Sequence, residues 1–357
     1  MSEIAIIGAG AWGTGLAVVL GRKGTHRVRL WAHETEVCES IANKRVNEQF
    51  LPGRSIPDSV SASNNLRAVI ENAEIIVSVM PSQHCRGLFQ QMRPMIPRHA
   101  LIVSATKGLE EGSLLRMSEV IADALRSDEK PAGAPPLSSR SLRGEGGEFD
   151  FPIGALSGPS FAQEVARGDP TAITIASQHE AFLRVVQQEF SDPSFRVYTN
   201  SDVIGVELGG ALKNTIAIAA GICDGLGLGH NSVAALITRG LAEMTRLVTA
   251  CGGRPETMAG LAGLGDLVLT CTGGLSRNRS VGVELGRGKK LPEIIAGMHG
   301  MVAEGVFTTT AAVGLAHARK VEMPITEQMH AILHKGKSPR EAIQELMTRT
   351  GKSETFP

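Results

Sequence analysis

The sequence predicts an α/β protein of two domains, in which an N-terminal domain with a mostly parallel β-sheet is followed by an all-α domain. Three observations support this class. Short apolar runs alternate with helical patterns through the first half of the chain, which indicates βαβ units. A glycine-rich turn, Gly8 to Gly13, directly follows the first apolar run. Strand patterns fade after about residue 200, where helical periodicity takes over.

The N-terminal domain is predicted to span residues 1–198. Its first strand is the apolar run Ile4–Ile7, and a helix follows from about Trp12 to Lys23. The further strands are short runs bounded by turn residues, namely Arg27–Trp31, Ile75–Val79, Leu101–Ser104, Ile153–Ser157 and Ala172–Ala176. Residues 127–150 are rich in Pro, Gly, Ser and charge, so we expect an inserted flexible surface loop there.

The C-terminal domain is predicted to span residues 199–357 and to be helical. Its helices are expected at Asp202–Cys223, Ser232–Cys251, Ser280–Gly286, Thr309–Lys320, Glu327–His334 and Pro339–Arg349. Stretches 208–223 and 257–276 are apolar enough to raise the question of a membrane span, but each contains a charged residue near its middle. We therefore expect both stretches in a buried core and predict no membrane span.

Composition narrows the class of function. The formal net charge is zero, so there is no basic excess to bind nucleic acid, and we expect a small molecule as the partner. The five cysteines are odd in number and no two form a CxxC pair, which argues against a disulfide scaffold or a zinc site. This cysteine usage fits a reducing cytosol, so we predict a cytoplasmic protein without a metal. The N-terminus MSEIAIIGAG lacks a basic segment and is predicted to be a strand rather than a signal peptide.

The glycine-rich turn predicts a dinucleotide site. Gly8 permits the tight turn, Gly10 allows the backbone to approach a pyrophosphate, and Gly13 allows the helix to pack close to the strand. The start of the helix then offers free N–H groups and a partial positive charge to the anion. The motif follows a strand and opens a helix, which is the arrangement of a Rossmann domain. The alternative is a glycine-rich turn that serves only packing.

The end of the second strand bears on the choice between NAD and NADP. Proteins that bind NAD usually place an acidic residue there to hold the ribose hydroxyls. Here Glu34 comes slightly late, and His33 lies where a 2′-phosphate could be tolerated. We expect both nicotinamides to be used, with NADP favoured.

Two isolated charges in apolar stretches are the strongest candidates for catalysis. Lys213 is the only charged residue between Glu207 and Asp224, and Asp266 is similarly isolated in GLAGLGDLVLTCTGG. A buried ammonium loses hydration unless it is paired, and burial lowers a lysine pKa toward neutrality, which suits a general acid or base. We predict a catalytic lysine oriented by an aspartate. The alternative is a buried salt bridge that only fixes two helices.

Three further segments are predicted to bind anions or substrate oxygens. In GGLSRNR, Ser276, Arg277 and Asn278 follow a glycine pair, and an arginine fork can grip a phosphate in bidentate fashion. Lys107 follows the strand that ends at Ser104, where ligands of open α/β sheets bind. The segment Ser157-Gly158-Pro159-Ser160 also follows a strand and is expected to open a helix. The alternatives are a solvated basic loop, an exposed lysine and plain helix capping.

These motifs together resemble a known family. The segments GAGAWGT, SATKGL, SGPSFA, GVELGGALKN, ALITRGLAEM, AGLGDLVLTCTGGLSRNR and VAEGV are similar, in order, to those of the bacterial NAD(P)-dependent glycerol-3-phosphate dehydrogenases. The resemblance implies a Rossmann domain, an all-helical substrate domain and, usually, a homodimer. It implies reversible reduction of dihydroxyacetone phosphate to sn-glycerol 3-phosphate, the backbone of phospholipid synthesis. The 127–150 insertion is longer than in most relatives but interrupts no motif.

The resemblance also implies roles for individual residues. Lys213 matches the lysine that transfers the proton, and Asp266 matches its aspartate. The implied substrate contacts are Lys107, Gly158, Ser160, Ser276, Arg277 and Asn278. The implied cofactor contacts, besides the glycines, are Ala11, Trp12, His33, Lys107, Ala162, Arg277, Val302 and Glu304.

Two other classes of function remain open from the residues alone. A related dehydrogenase acting on a hydroxy acid would need a carboxylate-binding site rather than a phosphate-binding site. A non-catalytic sensor would bind NADPH without turnover, and such a protein gains nothing from pairing Lys213 with Asp266. Loss of activity when the substrate phosphate is removed would separate these classes.

Overall fold

The computed structural model describes residues 1–126, 151–298, 301–351 and 353–354. The loop predicted at 127–150 therefore lies outside the described residues. The strands are β1 (Ser2–Ile7), β2 (His26–Trp31), β3 (Val46–Asn47), β4 (Leu51–Ser55), β5 (Val60–Ser63), β6 (Ile75–Ser78), β7 (Leu101–Ser104), β8 (Ile153–Ser157), β9 (Thr171–Ala176) and β10 (Phe195–Asn200).

Eight of these strands form one sheet in the order β10-β9-β8-β7-β6-β1-β2-β5. Every neighbouring pair in the sheet is parallel except β8 with β9. Strands β3 and β4 form a separate antiparallel pair. The prediction of a mostly parallel sheet is confirmed.

Helices cover both faces of the sheet. They are α1 (Ala11–Arg22), α2 (Thr35–Lys44), α3 (Leu66–Ile70), α4 (Cys85–Met92), α5 (Met117–Leu125), α6 (Ala162–Arg167) and α7 (Glu180–Phe190). Side chains of β1 alternate between two cores: Ile4 and Ile6 pack with α1 and α7, whereas Ala5 and Ile7 pack with α4 and α5. Burial on both faces explains why the segment Ile4–Ile7 of β1 is continuously apolar rather than alternating.

The second half of the chain is helical. Its helices are α8 (Val203–Gly225), α9 (His230–Ala250), α10 (Pro255–Met258), α11 (Asp266–Thr272), α12 (Arg277–Gly286), α13 (Leu291–Ala296), α14 (Glu304–Arg319), α15 (Pro324–Lys335) and α16 (Pro339–Met347), and Leu261–Gly265 forms a π-helical turn. Helix α8 lies at the centre and is buried from Gly205 to Cys223. A Rossmann-like sheet followed by a helical region agrees with the predicted fold class.

One described helix, α8, is long and apolar enough to cross a membrane, and 83% of its apolar window is buried inside the protein. The segments Pro255–Thr272 and Arg277–Gly286 meet the same criterion only as a pair bent by 47°. The position of α8 in the core explains its apolar composition.

Helices α8 and α12 touch through their backbones. A Cβ atom on Gly221 would lie 2.0 Å from the carbonyl oxygen of Arg279, and one on Gly282 would lie 2.0 Å from that of Ile218. Only glycine permits so close an approach. The crossing fixes α8, which contains Lys213, against the helix that begins at Arg277.

Several predicted boundaries were wrong. Helix α12 begins at Arg277 rather than Ser280, and α14 begins at Glu304 rather than Thr309. The first turn of α14, Glu304-Gly305-Val306-Phe307-Thr308, has low helix propensity, and tertiary packing overrides it. The segment after β8 does not begin a helix at Ser160; helix α6 begins two residues later, at Ala162.

Two strands of the sheet were also missed. These are β5 and β10, which form its two edges. Both are short and largely polar, and edge strands need only one neighbour, so they leave a weak pattern. Strand β10 ends at Asn200, and the predicted division after residue 198 falls inside it.

Candidate active site

The candidate residues of the first domain gather at the carboxyl ends of parallel strands. The glycine turn follows β1, His33 follows β2, Lys107 follows β7 and Gly158 follows β8. In open α/β sheets the loops at this edge form the ligand site. Helix α8 crosses behind the ends of β7 and β8, which brings Lys213 to the same edge.

The geometry of the glycine turn fits a dinucleotide pyrophosphate. Gly8 has φ 120°, and a Cβ atom there would lie 2.8 Å from the carbonyl oxygen of Val79. A Cβ atom on Gly13 would lie 1.9 Å from the carbonyl oxygen of Gly8, whereas one on Gly10 would have nothing within 4 Å. The outer glycines are thus required by packing, and the middle one faces open space. No side chain caps α1, which leaves the first N–H groups, from Ala11 onward, available to an anion.

The first two residues after β2, Ala32 and His33, carry no carboxylate. His33 is exposed and its ring centroid lies 6.1 Å from that of Trp31, while Glu34 forms the N-cap of α2. Trp12, on α1, has a buried indole Nε1 without a hydrogen-bond partner among the described residues. Ala162 begins α6, which packs so closely on α1 that a Cβ on Gly15 would touch it at 3.4 Å.

Lys213 and Asp266 lie in direct contact in the core of the site. Lys213 Nζ donates to Asp266 Oδ1 at 2.6 Å and to Thr270 Oγ1 at 2.7 Å. Lys107 Nζ donates to the other carboxylate oxygen of Asp266 at 2.7 Å. One buried carboxylate therefore holds two lysines, one from each half of the chain.

The electrostatics of this cluster prepare Lys213 for proton transfer. Burial lowers the pKa of Lys213 to about 8, although the negative charge of Asp266 opposes the shift; the nearby charge of Lys107 lowers it further. Burial acts to raise the pKa of Asp266, but attraction by Lys107 and Lys213 outweighs burial and the pKa is lowered. Asp266 is thus ionised, while Lys213 can gain or lose a proton near neutral pH.

Arg277 is a half-buried guanidinium at the first position of α12. Its Nη1 donates to the carbonyl oxygen of Val302 at 3.3 Å, and it has no ion-pair partner among the described residues. Burial lowers the pKa of Arg277, and the charge of Glu304 only partly offsets this. A desolvated arginine without a paired carboxylate favours an anionic ligand. Ser276, the N-cap of α12, accepts from the Arg279 backbone N–H at 3.2 Å.

Asn278 is committed to internal contacts. Its Nδ2 donates to Asn214 Oδ1 at 3.0 Å, and its Oδ1 accepts from the Gly305 N–H at 2.9 Å. The side chain thereby joins α8, α12 and α14 at one point. Any contact between Asn278 and a phosphate must use its second amide hydrogen.

Glu304, at the start of α14, reaches the first domain. Its carboxylate accepts from the Ser82 backbone N–H at 3.2 Å and from Ser82 Oγ at 2.8 Å. Burial raises the pKa of Glu304, while the bonds from Ser82 and the charge of Arg277 act against this. Glu304, Val302 and Arg277 therefore form a second cluster beside the lysine pair.

Lys107 also joins the segment after β8. Its Nζ lies 3.3 Å from the carbonyl oxygen of Gly158, and Ser160 Oγ donates to the same oxygen at 2.9 Å. Gly158 has φ 139°, and a Cβ atom there would lie 2.9 Å from the Cα of Ile173. The loop thus holds Lys107 and presents Ser160 at the edge of the site.

Sequence reasoning missed two residues that contact the candidates. Thr270 bonds Lys213, and it lies four residues after Asp266, a spacing that places both on one face of α11. That spacing could have identified it. Ser82 bonds Glu304 across the two halves of the chain, and no local pattern marks this contact.

Among the described residues, no group of three or more His, Cys, Asp and Glu side chains could hold a metal ion.

Comparison with known proteins identifies the family. Family models described as the N-terminus and the C-terminus of NAD-dependent glycerol-3-phosphate dehydrogenase match residues 3–134 and 140–183, and residues 202–344, respectively. The glycerol-3-phosphate dehydrogenase (NAD(P)+) of Koribacter versatilis is 63% identical over 356 residues and covers 100% of both chains. That of Acidobacterium capsulatum is 54% identical and covers 99% of this chain and 100% of its own.

A solved structure gives the same result. The crystal structure of glycerol-3-phosphate dehydrogenase from Coxiella burnetii is 42% identical, with a TM-score of 0.87, and the match covers 97% of this chain and 98% of the other. Both halves of the chain, and nearly its whole length, are thus accounted for by one family. This chain belongs to the NAD-dependent glycerol-3-phosphate dehydrogenase family.

Proposed function

We propose that this protein reversibly reduces dihydroxyacetone phosphate to sn-glycerol 3-phosphate with a nicotinamide cofactor. The observation that carries the proposal is the buried Lys213, which is paired with Asp266 and lies at the same sheet edge as the glycine turn. When bound, the reduced nicotinamide supplies the hydride. The residues of the chain must then supply a proton to the carbonyl oxygen and a grip for the phosphate.

Lys213 is the proposed proton donor in reduction and acceptor in oxidation. A pKa of about 8 allows both protonation states near neutral pH, as a reversible reaction requires. Asp266 and Thr270 restrict the direction of the ammonium, since each accepts one of its hydrogens. The third hydrogen remains for the substrate oxygen.

Arg277 is the proposed phosphate grip, supported by its missing carboxylate partner among the described residues. Ser276 and the start of α12 add a hydroxyl and N–H groups. Asn278 contributes its remaining amide hydrogen and holds the first turn of α12 in place. Lys107, Gly158 and Ser160 are proposed to contact the substrate from the strand edge.

The proposed cofactor contacts are those at the glycine turn together with the cluster that begins α14. Gly8, Gly10, Ala11, Trp12 and Gly13 form the turn and the start of α1, and Ala162 lies against α1. Lys107 and Arg277 are proposed to contact both the cofactor and the substrate. Val302 and Glu304, which belong to the helical half, are proposed to contact the cofactor.

We infer that NADP is favoured over NAD, although both are used. The support is the end of β2, where exposed His33 stands before the late Glu34. Dissociation constants for NADPH and NADH, measured by quenching of protein fluorescence, test this directly. His33→Asp should weaken NADPH binding more than NADH binding, and an equal effect on both would contradict the role of His33.

Lys213→Met tests the proton donor. The variant keeps a similar side-chain volume and should lose turnover while its dissociation constant for NADPH stays nearly unchanged. Reduction of dihydroxyacetone phosphate is followed through the absorbance of NADPH. A positioned proton donor contributes about 100-fold or more to a rate. Retention of a tenth or more of the wild-type rate would therefore exclude this role.

Arg277→Ala tests the phosphate grip, and Arg279→Ala is its matched control. Arg279 lies on the same helix but pairs with Asp224 instead of remaining without a carboxylate. Arg277→Ala should mainly raise the KM for dihydroxyacetone phosphate, with little effect from the control. Dihydroxyacetone without its phosphate should be a poor substrate for both wild-type enzyme and control. Equal KM values for the two variants would place the phosphate elsewhere.

The setting of the reaction follows from the family and is also proposed. The product would supply the backbone of glycerophospholipids, in the cytoplasm. A homodimer is supported by exposed apolar side chains in the helical half, among them Leu275, Phe307 and Ile295. Sedimentation equilibrium of the purified protein measures the mass of the assembly, and a monomer would contradict this part of the proposal.

A further inference from the structure

A small cavity lies behind Lys107, between the ends of β7 and β8 and helix α8. Ser104 and Ser157 line it from the strands, Gly210 lines it from α8, and the stem of Lys107 closes one side. The space open to the centre of a water molecule is ≈ 10 Å³. That volume is about the minimum needed to hold one water molecule.

Two buried hydroxyls line this cavity. Ser104 is 2% exposed and Ser157 is 5% exposed, and neither Oγ atom has a hydrogen-bond partner among the residues that the structure describes. Ser104 pairs with Ala155 in the parallel register, and Ser157 follows Ala155 by two residues, so both side chains lie on the face covered by α8. Buried hydroxyls without partners are rare, because they lose their hydrogen bonds to water and gain no other hydrogen bond.

The other polar side chains at the cavity are already satisfied. Thr106 Oγ1 bonds Ser78 Oγ at 2.9 Å. The carboxylate of Glu207 accepts from the Ser118 hydroxyl at 2.6 Å and from Arg116 Nη1 at 2.6 Å. The unmet hydrogen-bonding capacity at this place therefore belongs to the two serines.

Gly210 brings α8 close to the serine hydroxyls of the cavity. A Cβ atom on Gly210 would lie 2.5 Å from Ser157 Oγ and 3.8 Å from Cδ of Lys107. Glycine within a helix is less stable than alanine, so its presence in the middle of α8 has a local cost. The missing side chain allows α8 to pack close to Ser157 Oγ, which encloses this side of the cavity.

We propose that this cavity is a binding site for one water molecule, held by the hydroxyls of Ser104 and Ser157. Each hydroxyl donates one bond and accepts two, so the pair provides the two partners that a buried water requires. The bound water joins the ends of β7 and β8 where the chain turns toward Lys107 and Gly158. It lies behind the stem of Lys107 and takes no part in substrate binding.

The stability of serine variants tests the site, because a filled and an empty cavity predict opposite signs. With water bound, Ser104→Ala and Ser157→Ala each remove a satisfied hydrogen bond, and each lowers the Tm. The double variant lowers the Tm by less than the sum of the two, since a water with one partner left is held weakly. Without water, each change removes an unpaired hydroxyl and raises the Tm.

Thr308→Val is the matched control for these variants. The Thr308 hydroxyl is also buried and has no partner in the described part of the chain, but it lies on α14 and does not line the cavity. The substitution keeps the shape of the side chain, and the Tm should stay equal or rise. Serine variants that behave like this control would overturn the proposal.

A crystal structure of the full chain provides the second measurement. Electron density for a water within hydrogen-bond distance of both Oγ atoms is expected in the wild-type protein and should be lost in the double alanine variant. Absence of that density in well-ordered wild-type crystals would overturn the proposal, whatever the Tm values.

Discussion

The substitution Asp266→Asn should lower the pH above which carbonyl reduction fails. Asp266 Oδ1 lies 2.6 Å from Lys213 Nζ, and its negative charge is the main influence that holds up the pKa of the buried lysine. Asparagine removes the charge but keeps an oxygen of nearly the same position. The two largest influences that remain, burial and the charge of Lys107, both lower the pKa of Lys213.

The size of the effect follows from the loss of one close opposite charge. Such a charge changes a pKa by about 1 to 3. From a starting pKa of about 8, Lys213 in the variant should titrate between about pH 5 and about pH 7. At about pH 7.5 the protonated fraction then falls about 3-fold to about 200-fold, and the rate of reduction falls with it if Lys213 donates the proton.

The assay is the rate of dihydroxyacetone phosphate reduction at saturating NADPH, measured at closely spaced pH values across the acid and neutral range. The rate of the variant should recover as the pH is lowered, which a merely misfolded site would not do. Asp224→Asn is the control, because Asp224 pairs with Arg279 and does not contact Lys213. An alkaline limit that stays at the wild-type pH, or moves upward, would refute the assignment of Lys213 as the acid.

Three other predictions concern packing, pH and the junction between the two halves. Gly282→Ala should lower the free energy of unfolding by about 1–3 kcal/mol, because its Cβ would strike the backbone of α8. Gly274→Ala is the control, since a Cβ there has nothing within 4 Å, and it should leave the stability unchanged. Urea denaturation measures both variants. Burial raises the pKa of Glu243 to about 7, so the folded state binds more protons than the unfolded state and the stability from this group is lost as the pH rises through about 7. Glu243→Gln should therefore flatten the change of Tm between about pH 5 and about pH 8, and an unchanged slope would contradict the shift. Ser82→Ala removes one hydrogen bond to Glu304 and should weaken NADPH binding severalfold in a fluorescence titration, with little change in kcat.

Sequence alone predicted the fold class because its signals are local. The alternation of short apolar runs with helical patterns reflects strands buried on both faces, and β1 shows this directly, since Ile4 and Ala5 pack into different cores. The edge strands β5 and β10 escaped prediction because a strand with a single neighbour needs fewer apolar residues. The early start of α14 also escaped, since Gly305 is held in the helix by contact with Asn214, which lies far away in the sequence.

The residues of the candidate site also differ in how far the sequence could predict them. Lys213 and Asp266 could be singled out because a charge in an apolar stretch needs a partner, whatever the fold. The second lysine on Asp266 could not be anticipated, since Lys107 is 159 residues away from Asp266 in the sequence and meets it only in the folded chain. The internal bonds of Asn278 depend in the same way on how three helices meet.

The arrangement of two lysines on one carboxylate has a chemical consequence for a reversible reaction. Burial alone would leave Lys213 neutral and unable to donate a proton, whereas Asp266 alone would hold the ammonium so firmly that it could not accept one back. The charge of Lys107 opposes that of Asp266, and the pKa of Lys213 settles at about 8. Lys107→Met should therefore raise the pKa of Lys213 and extend reduction to higher pH, opposite in sign to Asp266→Asn. Opposite shifts in the two pH profiles would show that the balance of charges, rather than burial alone, sets the working pH; shifts of the same sign would contradict it.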